Sequence, residues 1–370
     1  MKILHIISDL YTGGGQKICI ELCNELAKNK SNQIVLCSLE PLTDQQQIMH
    51  RKISPEVELI VLNKKGNNPD IFFQVLKMIF QVKPDVINTN LRAFFFSSLG
   101  LMFSRIPHVH TLPTVADKEE TAGRRRVYKF LYDYFNCSPI SMGDKVFESC
   151  KKVYGDECKE NIEIGIIPIE ETPKLSEVKE VIGAYRKDEN TKVFVSIGRF
   201  YPVKNQKLLI ESFEMLLDEG YDAHLVILGA FDVVPEYAKL CKEKIKTPSR
   251  VHLMGEKENV SDYLIASDCL CFSSTFEGLP MSMVEAMSVG IPTIATSVGG
   301  IPDLIQEGIN GYMSKDMSTE SYLELFKRFI DGKKLDSGKI KEIFYEKYSV
   351  KQYAKKYLEV YTQKVAEKLK

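Results

Sequence analysis

Two glutamates eight positions apart, Glu277 and Glu285, frame the stretch of this chain best suited to binding chemistry. Between them, Gly278-Leu279-Pro280 reads as a tight turn whose glycine and proline set unusual backbone angles. Met281 and Ser282 then open a helix. The start of a helix presents unpaired N–H groups and the positive end of the helix dipole, a place for a phosphate or a developing negative charge. Glu285 lies about one turn into that helix, where its carboxylate can accept two hydrogen bonds from a diol. Glu277 stands on the turn itself. Singly, each glutamate also reads as a helix-surface charge, and the pair as the acid and base of a glycoside hydrolase.

Positioning these groups requires a strand before the turn, and the run Asp268–Ser273 supplies one. It belongs to a rhythm of short β-branched strands and amphipathic helices that signals parallel βαβ units. Strands are predicted at Lys2–Ser8, Gln33–Leu39, Val57–Leu62, Asp85–Asn88, Pro107–Leu112, Asn136–Ser141 and Ile162–Ile167. A second series is predicted at Lys192–Ile197, Ala223–Leu228, Val251–Met254, Asp268–Ser273 and Pro292–Ser297. The expected fold class is α/β, with two Rossmann-like doubly wound domains facing a central cleft. The first covers residues 1–168, a charged and proline-bearing linker covers 169–190, and the second covers 191–349. The tail 350–370 spaces Tyr353, Tyr357, Val360, Tyr361 and Val365 as an amphipathic helix that completes the first domain.

Composition narrows the function. The chain has 370 residues and a formal net charge of −1. Residues 1–170 hold 21 basic and 20 acidic side chains, against 28 and 30 in the remainder, so neither half has the basic bias of a nucleic-acid binder. The nine cysteines are scattered without paired zinc-site spacing and read as buried thiols of a reducing compartment. The opening residues lack the features of a secretory signal, and no window reaches the roughly 18 apolar residues of a membrane span. A cytoplasmic protein is expected.

The glutamate spacing with Gly-Leu-Pro inside it closely resembles the signature of family 4 retaining glycosyltransferases. The resemblance extends over most of the chain, through Gly198-Arg199-Phe200, Lys204-Asn205, Val251–Gly255, Gly290-Ile291-Pro292, Val298–Asp303 and Asn310-Gly311. It implies a two-domain B-type glycosyltransferase fold and a nucleotide-sugar donor. It also implies roles: Glu285 on the ribose hydroxyls, Glu277 on a hydroxyl of the transferred sugar, and Leu279, Pro280, Met281 and Ser282 beside sugar and phosphate. Arg199 and Lys204 match a basic pair that grips the diphosphate, and Gly255 and Glu256 meet the base. Fixed cations there stabilise the charge a leaving nucleoside diphosphate gains in the transition state. Gly13 and Gly14 match the family's glycine-rich loop; alone, Gly13-Gly14-Gly15 lacks the spacing of a dinucleotide fingerprint. A sugar-contacting histidine common in relatives falls at Pro113, leaving His110 as a candidate substitute or a structural strand histidine.

The acceptor is to be read from the first half. Asn90 is a candidate acceptor-side polar group or a loop residue. Arg124, Arg125 and Arg126 precede Val127, Phe130, Leu131 and Tyr134, spaced as a helical stripe. This basic amphipathic helix either lies on an anionic membrane surface, packs its aromatic face on the core, or binds an acceptor diphosphate. The expected reaction is retaining transfer of a hexose or N-acetylhexosamine to a glycan or polyprenyl-diphosphate-linked acceptor in bacterial surface polysaccharide synthesis. A UDP-sugar is favoured and GDP-mannose is next. No Asp-x-Asp clamp stands in a suitable loop, so no metal or other cofactor is expected, and peripheral inner-membrane contact is. A nucleotide-sugar epimerase, a phosphorylase, a hydrolase and a non-catalytic binding protein are the alternatives.

Overall fold

The computed structural model describes residues 1–64, 69–116 and 121–368. Contacts divide the chain into two units, Met1–Ile167 with Lys347–Lys370, and Pro168–Glu346.

The first unit is built on seven parallel strands: β1 (Lys2–Ile7), β2 (Gln33–Ser38), β3 (Val57–Val61), β4 (Val86–Asn90), β5 (His108–Leu112), β6 (Cys137–Ser141) and β7 (Glu160–Asn161). Their order is β3-β2-β1-β4-β5-β6-β7, so the direction of winding reverses between β1 and β4. β1, β2 and β4 are buried along nearly their whole length because helices cover both faces, which is why these strands read as unbroken apolar runs. On one face Leu4, Ile6, Val35 and Ile87 pack with Ile71, Val75 and Ile79 of the helix Asp70–Val82. The C-terminal helix Val350–Lys368 closes this unit, burying Tyr353, Tyr357, Val360 and Tyr361.

The second unit repeats the plan with β8 (Lys192–Ile197), β9 (Ala223–Leu228), β10 (Val251–Gly255), β11 (Cys269–Phe272), β12 (Thr293–Thr296) and β13 (Gly311–Ser314). Their order is β10-β9-β8-β11-β12-β13, again reversing at the centre, between β8 and β11. Phe194, Phe213 and Phe326 form its aromatic core. At the leading ends of β9 and β10, Arg250 Nη1 lies 2.8 Å from His224 Nε2, and His224 Nδ1 lies 2.9 Å from His252 Nε2. Tyr185 stacks on both rings. Burial, then the Arg250 charge, lowers the His224 pKa to about 4.

Four details differ from the sequence reading. The strand expected at Ile162–Ile167 is replaced by the two-residue β7 at Glu160–Asn161 and a single bridge from Ile166 to Ser349. The stretch 169–190 is not a linker throughout: it holds the helix Leu175–Tyr185, which buries Leu175, Val178 and Ile182. The short β13 went unread because its first residue is Gly311, where a side chain would meet the Thr293 carbonyl at 2.0 Å. Cys150 and Cys158 are joined as a disulfide rather than standing as thiols; the other seven cysteines are free and buried.

Candidate active site

β8 and β11 are neighbours where the second sheet reverses, the place where doubly wound sheets hold ligands beyond the strand C-termini. The loop leaving β8 carries Gly198, Arg199 and Phe200 into the turn Pro202–Lys204. Phe200 is fully buried, packed on Phe231, and anchors the loop while Arg199 beside it stays exposed. Asn205 follows in the left-handed region, at φ 48°, and starts the helix Gln206–Asp218. The buried Gln206 amide reaches back and donates to the carbonyls of Gly198 and Arg199 at 3.3 and 3.0 Å.

The loop leaving β11 is fastened to that turn. Ser273 Oγ donates to the Lys204 carbonyl at 2.9 Å, and the Thr275 N–H donates to the Val203 carbonyl at 2.8 Å. Lys204 Nζ then donates to Glu277 Oε1 at 2.7 Å, and Ser274 Oγ donates to the same oxygen at 2.5 Å. Glu277 is only 9% exposed, so this ion pair is shielded more than a surface pair. Ser274 is fixed in turn by Thr296 Oγ1 of β12, which donates to its carbonyl at 2.6 Å. Arg199 has no side-chain hydrogen bond or ion pair among the described residues, and its guanidinium is available to a ligand.

The unusual backbone expected at Gly278 and Pro280 lies elsewhere. Pro280 has an ordinary φ of −73° and Gly278 is not in the left-handed region. The strained position is Gly299, at φ 57°, where a Cβ would fall 1.7 Å from the Glu277 carbonyl oxygen. Its neighbour Gly300 donates its N–H to the carbonyls of Glu277 and Gly278 at 3.2 and 2.9 Å. The glycines of the Val298–Asp303 run thus hold the carboxylate loop from behind. Pro280 sits at the N-cap of the helix Met281–Ser288, with Leu279, Met281, Ser282 and Glu285 half-buried. Gly255 ends β10 after a register shift, at φ 71°, with Glu256 exposed beside it.

Residues 177–347 match the family model described as "Glycosyl transferases group 1", and residues 12–138 match the "Glycosyltransferase Family 4" model. The chain is a family 4 glycosyltransferase. It is 28% identical over 268 residues to an uncharacterized glycosyltransferase of Methanocaldococcus jannaschii, covering 65% of this chain and 64% of that protein's length. It is 24% identical over 272 residues to the Escherichia coli UDP-Gal:alpha-D-GlcNAc-diphosphoundecaprenol alpha-1,3-galactosyltransferase, covering 70% of each. Its fold is similar to that of Anabaena HepE in complex with UDP, with a TM-score of 0.80 at 18% identity, covering 98% of this chain and all of the other.

In the first unit of this glycosyltransferase, Gly13 precedes the helix Gly14–Ala27 in extended backbone, and Gln16 Nε2 donates to Asp9 Oδ1 at 2.7 Å. Any side chain at Gly15 would meet Leu91 at 2.9 Å. Asn90 ends β4, is 6% exposed and leaves its Nδ2 without a hydrogen-bond partner. It lines a small pocket with Gly15, Leu91, Thr111, Pro113 and Met142.

His110 lies in the core of the first unit. It is fully buried, its Nδ1 lies 3.0 Å from the Thr89 hydroxyl and carbonyl, and its ring stacks on Phe94 at 4.4 Å. The helix Ala122–Tyr134 is also turned differently from a core-packed aromatic stripe. Tyr128, Leu131 and Tyr132 face inward, whereas Val127, Phe130 and Tyr134 are exposed, Tyr134 by 73%. Arg124 lies over the Phe95 ring at 4.7 Å, and Arg126 is exposed.

Spacing alone did not point to Ser273, Ser274, Thr275, Thr296 or Gln206, which position the charged pair. The signal available was a run of hydroxyl residues directly after a buried strand.

Proposed function

We propose that this glycosyltransferase moves a hexose or N-acetylhexosamine from a UDP-sugar, with retention, to a glycan or lipid-linked glycan acceptor of a bacterial surface polysaccharide. The observation that carries the reading is the Lys204–Glu277 pair at 2.7 Å, held by Ser274 on the loop adjoining the unpaired Arg199. An ammonium has three N–H groups; Glu277 takes one and leaves two for phosphate oxygens. Arg199 offers a planar fork suited to bidentate phosphate binding. As the bond from sugar to UDP breaks, negative charge grows on the diphosphate, and both cations stabilise it more strongly than they stabilise the bound donor. Glu277 accepts a hydrogen bond from a sugar hydroxyl, and Glu285 accepts from the ribose diol. Neither glutamate is assigned as a nucleophile. The acceptor instead attacks from the face the diphosphate leaves, and a diphosphate oxygen takes its proton.

The UDP preference is supported by the printed specificity of the Escherichia coli relative and by the UDP bound to the Anabaena neighbour. We assign the acceptor to the first unit, with Asn90 as a hydrogen-bonding contact. The exposed Val127, Phe130 and Tyr134 beside Arg126 give the helix Ala122–Tyr134 an apolar, basic outer surface suited to an anionic membrane. No helix among the described residues is long and apolar enough to cross a membrane.

Calorimetric titration with UDP and GDP, followed by donor screening with and without acceptor, tests this function. Tighter UDP binding that is lost in Arg199→Ala and Lys204→Ala is expected, as is turnover that needs an acceptor and survives EDTA. Sugar phosphate release on adding free phosphate would indicate a phosphorylase. Conversion of the donor alone would indicate an epimerase.

A further inference from the structure

His5 stands in the middle of β1, in register with Leu36 of β2 and Asn88 of β4. Its ring meets Tyr361 of the C-terminal helix edge to face. Cys19 and Cys23 lie four residues apart on the helix Gly14–Ala27, the spacing that puts two side chains on one helical face. One His5 nitrogen and the two sulfurs all lie within 4.8 Å of one another. His5 and Cys23 are 0% exposed and Cys19 is 1% exposed. Neither His5 ring nitrogen has an oxygen or nitrogen partner, and its polar neighbours are the thiols of Cys19 and Cys23.

Buried cysteines alone need no explanation, because they pack as small apolar side chains. A buried imidazole with no oxygen or nitrogen partner does need one, since such groups nearly always find a partner or an ion. We propose that His5, Cys19 and Cys23 form a zinc site within the first unit. Two thiolates and an imidazole are a soft donor set of the kind that selects zinc or copper(I). Donors sharing one zinc stand about 3.5–3.8 Å apart, given bond lengths of about 2.3 Å to sulfur and 2.0 Å to nitrogen. Sharing one ion therefore requires the cluster, now within 4.8 Å, to contract by about 1 Å. Charge favours Zn(II) over copper(I): two thiolates neutralise a divalent ion, whereas a monovalent one leaves a net negative charge in a dry interior. Binding deprotonates both thiols and releases two protons to solvent, with no change of oxidation state. The fourth zinc position is left to a small ligand such as water. None of the residues assigned to donor or acceptor takes part, so the proposal stands or falls apart from them.

The test uses the full chain, stripped with chelator under reducing conditions and then equilibrated with Zn(II) alone, Co(II) alone or copper(I) alone. One Zn(II) per chain should survive desalting, and the Co(II) form should show a near-ultraviolet thiolate-to-cobalt charge-transfer band. The Cys19→Ala/Cys23→Ala double variant and His5→Leu should each bind Zn(II) at least tenfold more weakly, with far-ultraviolet circular dichroism confirming that they fold. Equal zinc retention by the double variant overturns the proposal. So does a cobalt form of the unaltered chain without the thiolate band, or uptake of copper(I) but not zinc. The cobalt spectrum needs no variant, so a misfolded mutant does not spoil the test.

Discussion

The two sheets reverse direction at the same place in their strand order, yet what they present there differs. At the end of β1, the turn into the helix Gly14–Ala27 offers glycines and the neutral Gln16 tied to Asp9. At the ends of β8 and β11, the corresponding region offers two cations and a nearly buried carboxylate, braced by four hydroxyls and two glycines. One architecture thus serves two purposes. In the second unit, loop chemistry is invested in holding charge still. In the first, the glycine turn beside the switch point carries no cation, and the one carboxylate there, Asp9, accepts from Gln16.

The sharpest way to break that contrast is to remove a cation. Lys204→Ala and Arg199→Ala should each lower kcat/KM for transfer by about 100-fold or more, as expected for losing one charge-stabilising group. Asn90→Ala should cost about tenfold, mainly in acceptor KM, in line with one neutral hydrogen bond. Steady-state kinetics with the acceptor varied separates the two, and equal losses would erase the difference between the units.

Gly299→Ala comes next. Its side chain cannot enter without displacing the Glu277 carbonyl, so urea unfolding should show a loss of about 2 kcal/mol or more together with lost transfer. A variant of normal stability and activity would mean that the glycine is dispensable.

Ser274→Ala removes one brace and leaves the ion pair, at a cost of about 1.5–3 kcal/mol for a hydrogen bond to a charged group. A fall in kcat larger than the change in donor KM would mark Ser274 as a positioning residue. An unchanged kcat would make the bond merely structural.

How much of this was legible follows the same division. Arg199, Lys204, Glu277 and Glu285 were picked out by the family resemblance of their flanks, and of these the structure brings Lys204 and Glu277 together at 2.7 Å. Their braces were not, since Ser273, Ser274 and Thr296 act through distances set by the folded sheet. Most strands were readable from apolar runs bounded by turns. β13 escaped because it is short and opens on a glycine, and β7 because the isoleucines of Ile162–Ile167 alternate like a strand without being paired along its length. His110 was left between a sugar contact and a structural strand histidine; its Nδ1 meets Thr89 and its ring packs between Phe94 and Tyr128 inside the first unit. The helix Ala122–Tyr134 was placed by its period, yet which residues faced out depended on the core it met.

The remaining expected effect is on the pH response of stability, and it belongs to the second unit. The His224 pKa of about 4 lies below its ordinary value near 6.5, because of burial and then the Arg250 and His252 charges. As pH falls below about 6.5 the unfolded chain takes up a proton that the folded chain refuses, so stability declines until about pH 4 and then levels off. Allowing for solvent screening, the loss is about 2 kcal/mol. Chemical denaturation across this range should show it, and His224→Gln should flatten the slope.

The C-terminal helix has a consequence for how the protein is made. Tyr353, Tyr357 and Tyr361 complete a core whose first strand is synthesised more than three hundred residues earlier. A ribosome therefore releases every residue of the second unit before the first has all of its parts. The second unit can finish folding while the first waits with a tyrosine-sized gap open on its sheet. Premature termination just before Val350 should leave an enzyme whose charged loops are intact and whose opposite half is prone to aggregation.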